Sequence, residues 1–266
     1  MRLEVDGREV YAYTGTRPVD PARPAVVFVH GAANDHSVWA LQSRYFAYHG
    51  CGVLAIDLPG HGRSEGPPLA SVDAIADWLA RLLDAAGLAQ ATLVGHSLGS
   101  LAALACAARH PQRAAAIALL GPAVPMPVSE ALLAAAKADD HVAYELINGW
   151  SVSPARQIGG NAVPGMWLLG GTMRLMERTP PGVLHADLRA CNDWQGGLDA
   201  ASAVRCASLV VVGARDLMAP PRAAKELIAK LKQPRVVTLA DCGHAMMAEQ
   251  PDAVLDALRA FVPRGA

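Results

Sequence analysis

The stretch TLVGHSLGS, from Thr92 to Ser100, joins a segment that suits a buried strand to one that suits a helix, with no linker between them. Ser97 stands at the junction, between Gly95 and Gly99. A turn this tight imposes strained backbone angles on the serine and crowds the adjoining turns, so the flanking positions must lack side chains. The stretch therefore predicts that Ser97 projects its hydroxyl at the carboxyl end of a strand, above the positive N-terminus of a helix.

Other apolar segments repeat this strand pattern, and helical patterns separate them. Each is short and rich in Val, Ile and Leu, as expected for strands that are buried on both faces. The alternation implies right-handed crossovers and an α/β fold. An N-terminal hairpin with Asp6-Gly7 as its turn adds two strands. We predict a mostly parallel central sheet of about eight strands flanked by helices. The strand segments are AVVFVHG (25–31), GVLAIDLPG (52–60), ATLVGHS (91–97), AAIALLG (115–121), SLVVVGARD (208–216) and RVVTLADCGH (235–244), and the helical segments are 71–87, 98–109, 221–231 and 251–261.

The alternation fails between residues 123 and 198, where no buried-strand segment occurs. Helical pieces alternate there with loops rich in Gly, Pro and Met, and the region is too long for a plain connection. We therefore predict a mostly helical cap, or lid, at 123–198, inserted into a core made of 1–122 and 199–266. Irregular packing of ordinary connections is the alternative.

Composition and charge restrict the class of protein. The chain has 266 residues, 52% hydrophobic and 18% charged, which is enough to bury one large core. The net charge is -1 and the basic residues are scattered, which argues against a nucleic-acid partner. No segment approaches the roughly 20 apolar residues of a membrane span, and no signal peptide is evident. Five dispersed cysteines without a C-x-x-C pattern favour a reducing, cytoplasmic setting and give no indication of a metal site or a cofactor.

Ser97 needs partners, because a serine hydroxyl is a weak nucleophile without a base. His244 follows the last strand segment, on a loop before the final helix, and Asp216 ends the strand segment before it. The chain order Ser97, Asp216, His244 is expected when a nucleophile, an acid and a base occupy successive strand ends. We predict that His244 is the base and that Asp216 orients it. Asp241 is a rival acid, and helix capping is an alternative role for Asp216.

The negative oxygen that forms when a hydroxyl attacks a carbonyl needs preorganised N–H donors. We expect one donor from Leu98, the residue after the serine. The other is expected from Ala32 in the loop HGAAND, which follows the strand segment at 25–29. Small side chains in this loop let the backbone approach a substrate closely.

These segments together resemble the α/β-hydrolase-fold serine hydrolases. VFVHGAANDHSVW, VLAIDLPGHGRS, VGHSLGS, VVGARDLMAP and ADCGHAMMAEQP are similar to that family's oxyanion loop, post-strand loop, nucleophile elbow, acid loop and histidine loop, and they are spread through the core as far as residue 251. The resemblance implies an esterase-like member with a helical cap that cleaves a small, apolar carboxylic ester. Serine at position 97 sets the chain apart from the haloalkane dehalogenases and epoxide hydrolases of this fold, which use aspartate there.

Two other functions fit the same residues. Hydrolysis of a C–C bond in a β-diketone or ring-cleavage product uses the same three residues and needs an anchor for a substrate carboxylate. The cap arginines available for this are Arg156, Arg174, Arg178 and Arg189. Small-molecule binding with weak or no turnover, as in receptor-like members of the fold, is the third hypothesis.

The predicted cap matches no segment of known specificity, so the expected pocket rests on residue type alone. We expect a small-molecule substrate, and the sequence gives no indication of an oligomeric state. The pocket residues that we predict are His96, Asn34, Trp150, Met166, Trp167 and Met246.

Overall fold

The computed structural model describes residues 1–160 and 165–263. Residues 161–164 of the predicted cap and 264–266 of the predicted core lie outside the described residues. One sheet contains eight strands: β1 (Arg2–Val5), β2 (Arg8–Tyr13), β3 (Ala25–Val29), β4 (Gly52–Ile56), β5 (Ala91–His96), β6 (Ala114–Leu120), β7 (Ala207–Gly213) and β8 (Arg235–Leu239).

No helix of the described ranges is long and apolar enough to cross a membrane. The helices are α1 (Ala40–Tyr48), α2 (Val72–Ala85), α3 (Leu98–Arg109), α4 (Glu130–Lys137), α5 (His141–Ser151), α6 (Pro154–Gln157), α7 (Leu168–Met176), α8 (Val183–Asp193), α9 (Gly197–Ala203), α10 (Lys225–Lys230), α11 (Met246–Glu249) and α12 (Pro251–Arg259), with 3-10 turns at His36–Trp39 and Pro221–Ala224.

The sheet has the strand order β1-β2-β4-β3-β5-β6-β7-β8. Strands β3 to β8 are parallel, whereas β2 is antiparallel to both of its neighbours. Asp6 and Gly7, both at positive φ, form the turn between β1 and β2. The predicted fold class is therefore confirmed: an α/β sheet of eight mostly parallel strands flanked by helices.

Strand β3 shows how the sheet separates two apolar layers. Val27 and Val29 belong to the cluster that contains the buried faces of α2 and α3. Val26 and Phe28 belong to the cluster that contains residues of α1 and α12. Because successive side chains of a strand point to opposite faces, a strand covered on both sides must be apolar throughout. All residues of β3 are buried, which accounts for the continuous apolar run in the sequence.

The chain between β6 and β7 includes helices α4 to α8, of which α4, α5, α7 and α8 share a separate apolar cluster that includes Leu132, Ile147 and Leu188. This cluster also takes in Ala33, from the loop after β3. Helix α9 crosses the predicted boundary at residue 198 and packs against α3. It belongs with the core because its Ala201 is fully buried there.

The carboxyl ends of β3 and β5 meet beside each other, with Val29 paired to Gly95. In the sheet, β4 lies on one side of β3 and β5 lies on the other, so the chain crosses β3 between these two strands. A crevice forms where the strand order changes direction in this way, and ligands of open α/β sheets bind there. The loop after β3 and the turn after β5 border this crevice.

Candidate active site

Ser97 occupies the turn between β5 and α3 with φ 53° and ψ -120°. A non-glycine residue at such angles costs of order 1–3 kcal/mol and persists only where its surroundings hold it. The Ser97 N–H donates to the Leu120 carbonyl at 2.9 Å. A Cβ on Gly95 would overlap the carbonyl oxygen of Gly99, and a Cβ on Gly99 would overlap that of Val29. Close backbone approach therefore requires both glycines.

His244 and Asp216 form a buried pair, with His244 Nδ1 and Asp216 Oδ2 2.7 Å apart. Asp216 Oδ1 also accepts from the Met218 and Ala219 amides, at 2.9 and 2.7 Å. Burial opposes ionisation of Asp216, but the charge and hydrogen bond of His244 and the Ala219 amide outweigh it, so its pKa lies below the ordinary value. An ionised Asp216 only accepts, so His244 Nδ1 carries the proton. In the neutral imidazole, the Nε2 atom of His244 is then left as an acceptor.

The two alternatives weighed against Asp216 have different locations. The next helical turn begins at Pro221, too far on for Asp216 to be its N-cap, and the Asp216 side chain instead closes a turn with the two amides. Asp241, the rival acid, is exposed and lies 3.5 Å from Arg215. Asp216 is the carboxylate that the structure brings to His244.

Ser97 and His244 line the same cavity, which has a volume of about 570 Å³. Within the part of the chain that the structure describes, no hydrogen bond joins the Ser97 hydroxyl to His244. Such contacts are often long before substrate binds and tighten in the complex.

The amides expected to hold an oxyanion have no protein acceptor among the described residues. Leu98 is the first residue of α3, where an N–H has no intrahelical partner. Ala32 lines the cavity. A Cβ on Gly31 would come within 3.1 Å of Ser97 Cβ, so glycine lets the loop after β3 pass close to the serine.

His30 and His96 are buried and neutral supports of the site. His30 Nδ1 lies 2.8 Å from the Gly31 carbonyl, and its Nε2 accepts from the Leu58 amide at 3.1 Å. Burial and the nearby His61 lower the pKa of His30 to about 4. His96 Nε2 lies 2.9 Å from the His244 carbonyl, and burial and the charge of His244 lower its pKa to about 3. Neither ring carries a charge near neutral pH.

Asp187, on α8, is a polar site residue that the sequence did not reveal. It is 2% exposed, and its Oδ2 accepts from the Ala33 amide and contacts His61 Nε2, both at 2.9 Å. Its signal in the sequence is weak but present: Asp187 falls within the apolar stripe formed by Leu184, Leu188 and Cys191. A carboxylate in such a stripe must have a buried partner.

The structure places four of the six predicted pocket residues in the cavity lining: His96, Asn34, Trp150 and Met166. Trp167 is not among them, and it is 72% exposed. Met246 is not among them either, because it is fully buried in the apolar layer between the sheet and α12. Apolar lining residues that the sequence did not single out as pocket residues include Leu41, Val128, Leu132, Ile147, Leu188, Leu217, Met218 and Met247.

The described lining of the cavity contains no Asp, Glu, Lys or Arg. The cap arginines considered as anchors for a substrate carboxylate lie elsewhere. Arg174 pairs with Glu177, Arg189 pairs with Asp193, and both arginines are largely exposed. The polar groups of the lining are hydroxyls, amides and imidazoles.

Three side chains outside the cavity lie close enough to share a cation: Asp35, His36 and Asp57 offer ligand atoms within 4.8 Å of one another. Their acceptor atoms already serve the fold. Asp57 accepts from the His36 amide and ring and from the Arg63 amide, and Asp35 accepts from the Ser37 amide. This group orders the loops after β3 and β4.

The fold and the arrangement of the site define an α/β hydrolase. The sequence model of the α/β hydrolase fold family matches residues 24–251, and the chain belongs to that family.

Individual proteins of known or described activity are similar to this chain. The pimeloyl-[acyl-carrier protein] methyl ester esterase of Aromatoleum aromaticum is 31% identical over 248 residues, which cover 86% of this chain and 94% of that protein. Among solved structures, Est816, described as an N-acyl homoserine lactone degrading enzyme, has a TM-score of 0.84 at 24% identity and covers 98% of this chain and 100% of its own. The enol-lactonase from Burkholderia xenovorans LB400 has a TM-score of 0.86 at 22% identity, over 98% of this chain and 99% of its own. The structural likenesses confirm the fold, and the esterase relative supports ester hydrolysis in general.

Proposed function

We propose that this protein hydrolyses small, apolar carboxylic esters through an acyl-enzyme on Ser97. The observation that carries the proposal is one cavity that is lined by Ser97 and His244 and is free of charged side chains in the described residues. The strained turn at Ser97 and the His244–Asp216 pair supply a nucleophile and an oriented base beside it.

In the proposed reaction, Ser97 Oγ attacks the ester carbonyl carbon and gives its proton to His244 Nε2. The Ala32 and Leu98 amides donate to the oxyanion. The tetrahedral intermediate collapses, and the leaving alcohol takes the proton from His244. Water then attacks the acyl-enzyme, with His244 again as the base, which releases the carboxylic acid and regenerates Ser97. Asp216 holds His244 in the tautomer that leaves Nε2 able to accept.

The composition of the lining supports a neutral acyl group of variable shape. Methionine is flexible and adapts to irregular ligands, so we expect several acyl lengths to be accepted. The methionines of the lining are Met126, Met166, Met176, Met218 and Met247. A C–C bond hydrolase of the kind considered above needs a cation for the substrate carboxylate, and the described lining has none. This observation favours the ester over the C–C bond.

The test combines a fluorophosphonate probe with a series of p-nitrophenyl esters of increasing acyl length. Wild type should be labelled and should turn over these esters, whereas Ser97→Ala should lose labelling and on the order of 10⁶-fold in kcat. Ser202→Ala removes an exposed serine outside the cavity and serves as the matched control. A wild type that is neither labelled nor active would refute the proposal, and ester binding without turnover would favour the receptor-like alternative.

A second arm tests the uncharged lining. Mono-p-nitrophenyl glutarate carries a carboxylate where the butyrate ester carries none. Without a cation to pair it, this carboxylate must be desolvated, so kcat/KM should fall by at least about tenfold relative to the neutral ester. A preference for the acidic ester would contradict the assignment of an apolar acyl group.

A further inference from the structure

A second histidine–aspartate pair lies outside the cavity and joins the cap to the core. His61 comes from the loop after β4, and Asp187 comes from α8. Both residues are 2% exposed, and neither lines the cavity. The pair therefore has no contact with a bound substrate, and any effect on the reaction must pass through another residue.

Ala33 is the residue that connects this pair to the proposed site. Its N–H donates to the Asp187 carboxylate at 2.9 Å, and its carbonyl accepts from Thr179 Oγ1 at 3.2 Å. Both Asp187 and Thr179 belong to the region between β6 and β7. Ala33 has φ 52°, in the left-handed region that alanine rarely adopts without support. Ala32, the proposed oxyanion donor, immediately precedes it.

The hydrogen bonds around His61 are satisfied by a charged imidazolium. Its Nδ1 lies 3.0 Å from the Pro59 carbonyl, which only accepts. Its Nε2 lies 2.9 Å from Asp187, which also only accepts when it is ionised. An imidazolium donates to both, and the Asp187 carboxylate balances its charge.

Besides Asp187, the titratable groups near this pair are those of His30, Asp57 and Cys191. His30 stacks at a tilt, with ring centroids 4.9 Å apart, and it is neutral. Asp57, at the end of β4, adds negative charge. On α8, Cys191 lies near Asp187, and its thiol stays protonated because burial raises its pKa. Burial disfavours the charged form of His61, but Asp187, Pro59 and Asp57 outweigh it, and the pKa of His61 is raised.

We propose that Asp187, paired with protonated His61, is a positioning residue that holds the Ala33 peptide and thereby aims the Ala32 N–H at the developing oxyanion. This inference rests on the proposed function, since it assigns a cap residue to the same reaction. The cap then contributes to the rate as well as to the shape of the pocket.

The test compares Asp187→Ala with Asp187→Asn. Alanine leaves the Ala33 amide without its acceptor, and we expect kcat for p-nitrophenyl butyrate to fall by about 10- to 100-fold, because small misplacements of catalytic groups have effects of this size. The KM should change by less than about threefold, since no lining residue is altered. An asparagine oxygen in the place of Oδ2 still accepts from the Ala33 amide and from a neutral His61 Nε2–H, so this variant should recover kcat to within about fivefold of wild type. Asp193→Asn, the same change on the exposed face of α8, is the control.

Two further measurements keep the test decisive where Asp187→Ala does not fold. Thr179→Val removes the donor to the Ala33 carbonyl without touching the buried charge, and it should lower kcat by about 3- to 10-fold at unchanged KM. Histidine ring ¹⁵N spectra, recorded in the Ser97→Ala background and assigned with His61→Gln, should show a doubly protonated His61 at neutral pH that is lost in Asp187→Asn.

The outcomes separate this inference from the proposed function. Wild-type turnover by Ser97→Ala would refute the proposed function itself. An inactive Ser97→Ala together with wild-type kcat in folded Asp187→Ala, or in Thr179→Val, would refute the positioning role alone. A neutral His61 in the spectra of the protein with Asp187 intact would overturn the part of the proposal that pairs Asp187 with a protonated His61.

Discussion

Two buried histidine–aspartate pairs lie near the same edge of the sheet, and they differ in what the histidine has left to offer. His244 uses Nδ1 for Asp216, and its Nε2 has no hydrogen-bond partner among the described residues. His61 uses both nitrogens, for Asp187 and for the Pro59 carbonyl. A nearby carboxylate therefore does not make a histidine reactive. What distinguishes His244 is an unused nitrogen on a residue that lines a cavity.

The strongest test of this comparison is Asp216→Asn. The asparagine oxygen is needed as the acceptor for the Met218 and Ala219 amides, so the asparagine NH2 group faces His244 Nδ1 and donates to it. The imidazole then carries its proton on Nε2, which can no longer act as the base. We expect kcat to fall by about 10⁴-fold, as for the equivalent change in serine proteases. Ester hydrolysis measures this, and Asp241→Asn is the matched control. Loss of activity in the control rather than in Asp216→Asn would identify Asp241 as the acid.

The next test compares the two histidines by stability. His61→Ala leaves the Asp187 carboxylate buried without its counter-charge, and such losses cost about 3–5 kcal/mol. His244→Ala opens onto the cavity, and Asp216 keeps two backbone donors, so we expect a loss of less than about 2 kcal/mol. Urea denaturation of the two variants checks the order. Equal losses would mean that the pairs do not differ in structural role.

The smallest expected effect is a pH dependence of stability. The raised pKa of His61 means that its contribution is complete below the unfolded value of about 6.5 and is lost as pH rises through the folded pKa. The slope cannot exceed about 1.4 kcal/mol per pH unit for one proton. His30 and His96 act in the opposite direction, because their lowered pKa values, about 4 and about 3, reduce stability as pH falls below about 6.5.

Asp187→Asn separates these two limbs. It should flatten the alkaline limb. The acid limb should persist, because burial is the largest cause of the lowered pKa values of His30 and His96 and this substitution does not expose either ring. Denaturation curves recorded from about pH 5 to about pH 9 measure both limbs. Parallel curves for wild type and Asp187→Asn above about pH 6.5 would show that His61 is not charged in the folded protein.

The sheet and the Ser97 turn could be predicted because their requirements are local in sequence. A strand covered on both faces must be apolar at every position, as in β3, and each strand could be read from its own residues. The turn at Ser97 needs Gly95 and Gly99 within two residues of it, because backbone atoms fill the space of their side chains. Short, self-contained constraints of this kind leave a clear pattern.

The pocket and the second pair could not be predicted in the same way, because distant packing determines them. His61 and Asp187 are 126 residues apart. Met246 and Met247 are neighbours on α11 and both belong to the same buried cluster, yet only Met247 also lines the cavity. The position of α11 against the sheet decides which of the two methionines reaches the cavity. Trp167 likewise lies outside the described lining of the cavity and is 72% exposed, which its residue type did not indicate.

The two hydrogen bonds that Asp187 and Thr179 make to the Ala33 peptide affect how caps could be exchanged between such proteins. A cap is the natural segment to exchange when a different substrate range is wanted. In this chain, a grafted cap without counterparts of Asp187 and Thr179 would bring a new pocket but would leave the Ala33 peptide unsupported and the His61 charge without a counter-ion. A chimera that carries residues 179–193 together with the loop after β4 avoids this defect. If the proposed role of Asp187 holds, the cap residues that shape the pocket and those that support turnover have to be exchanged together.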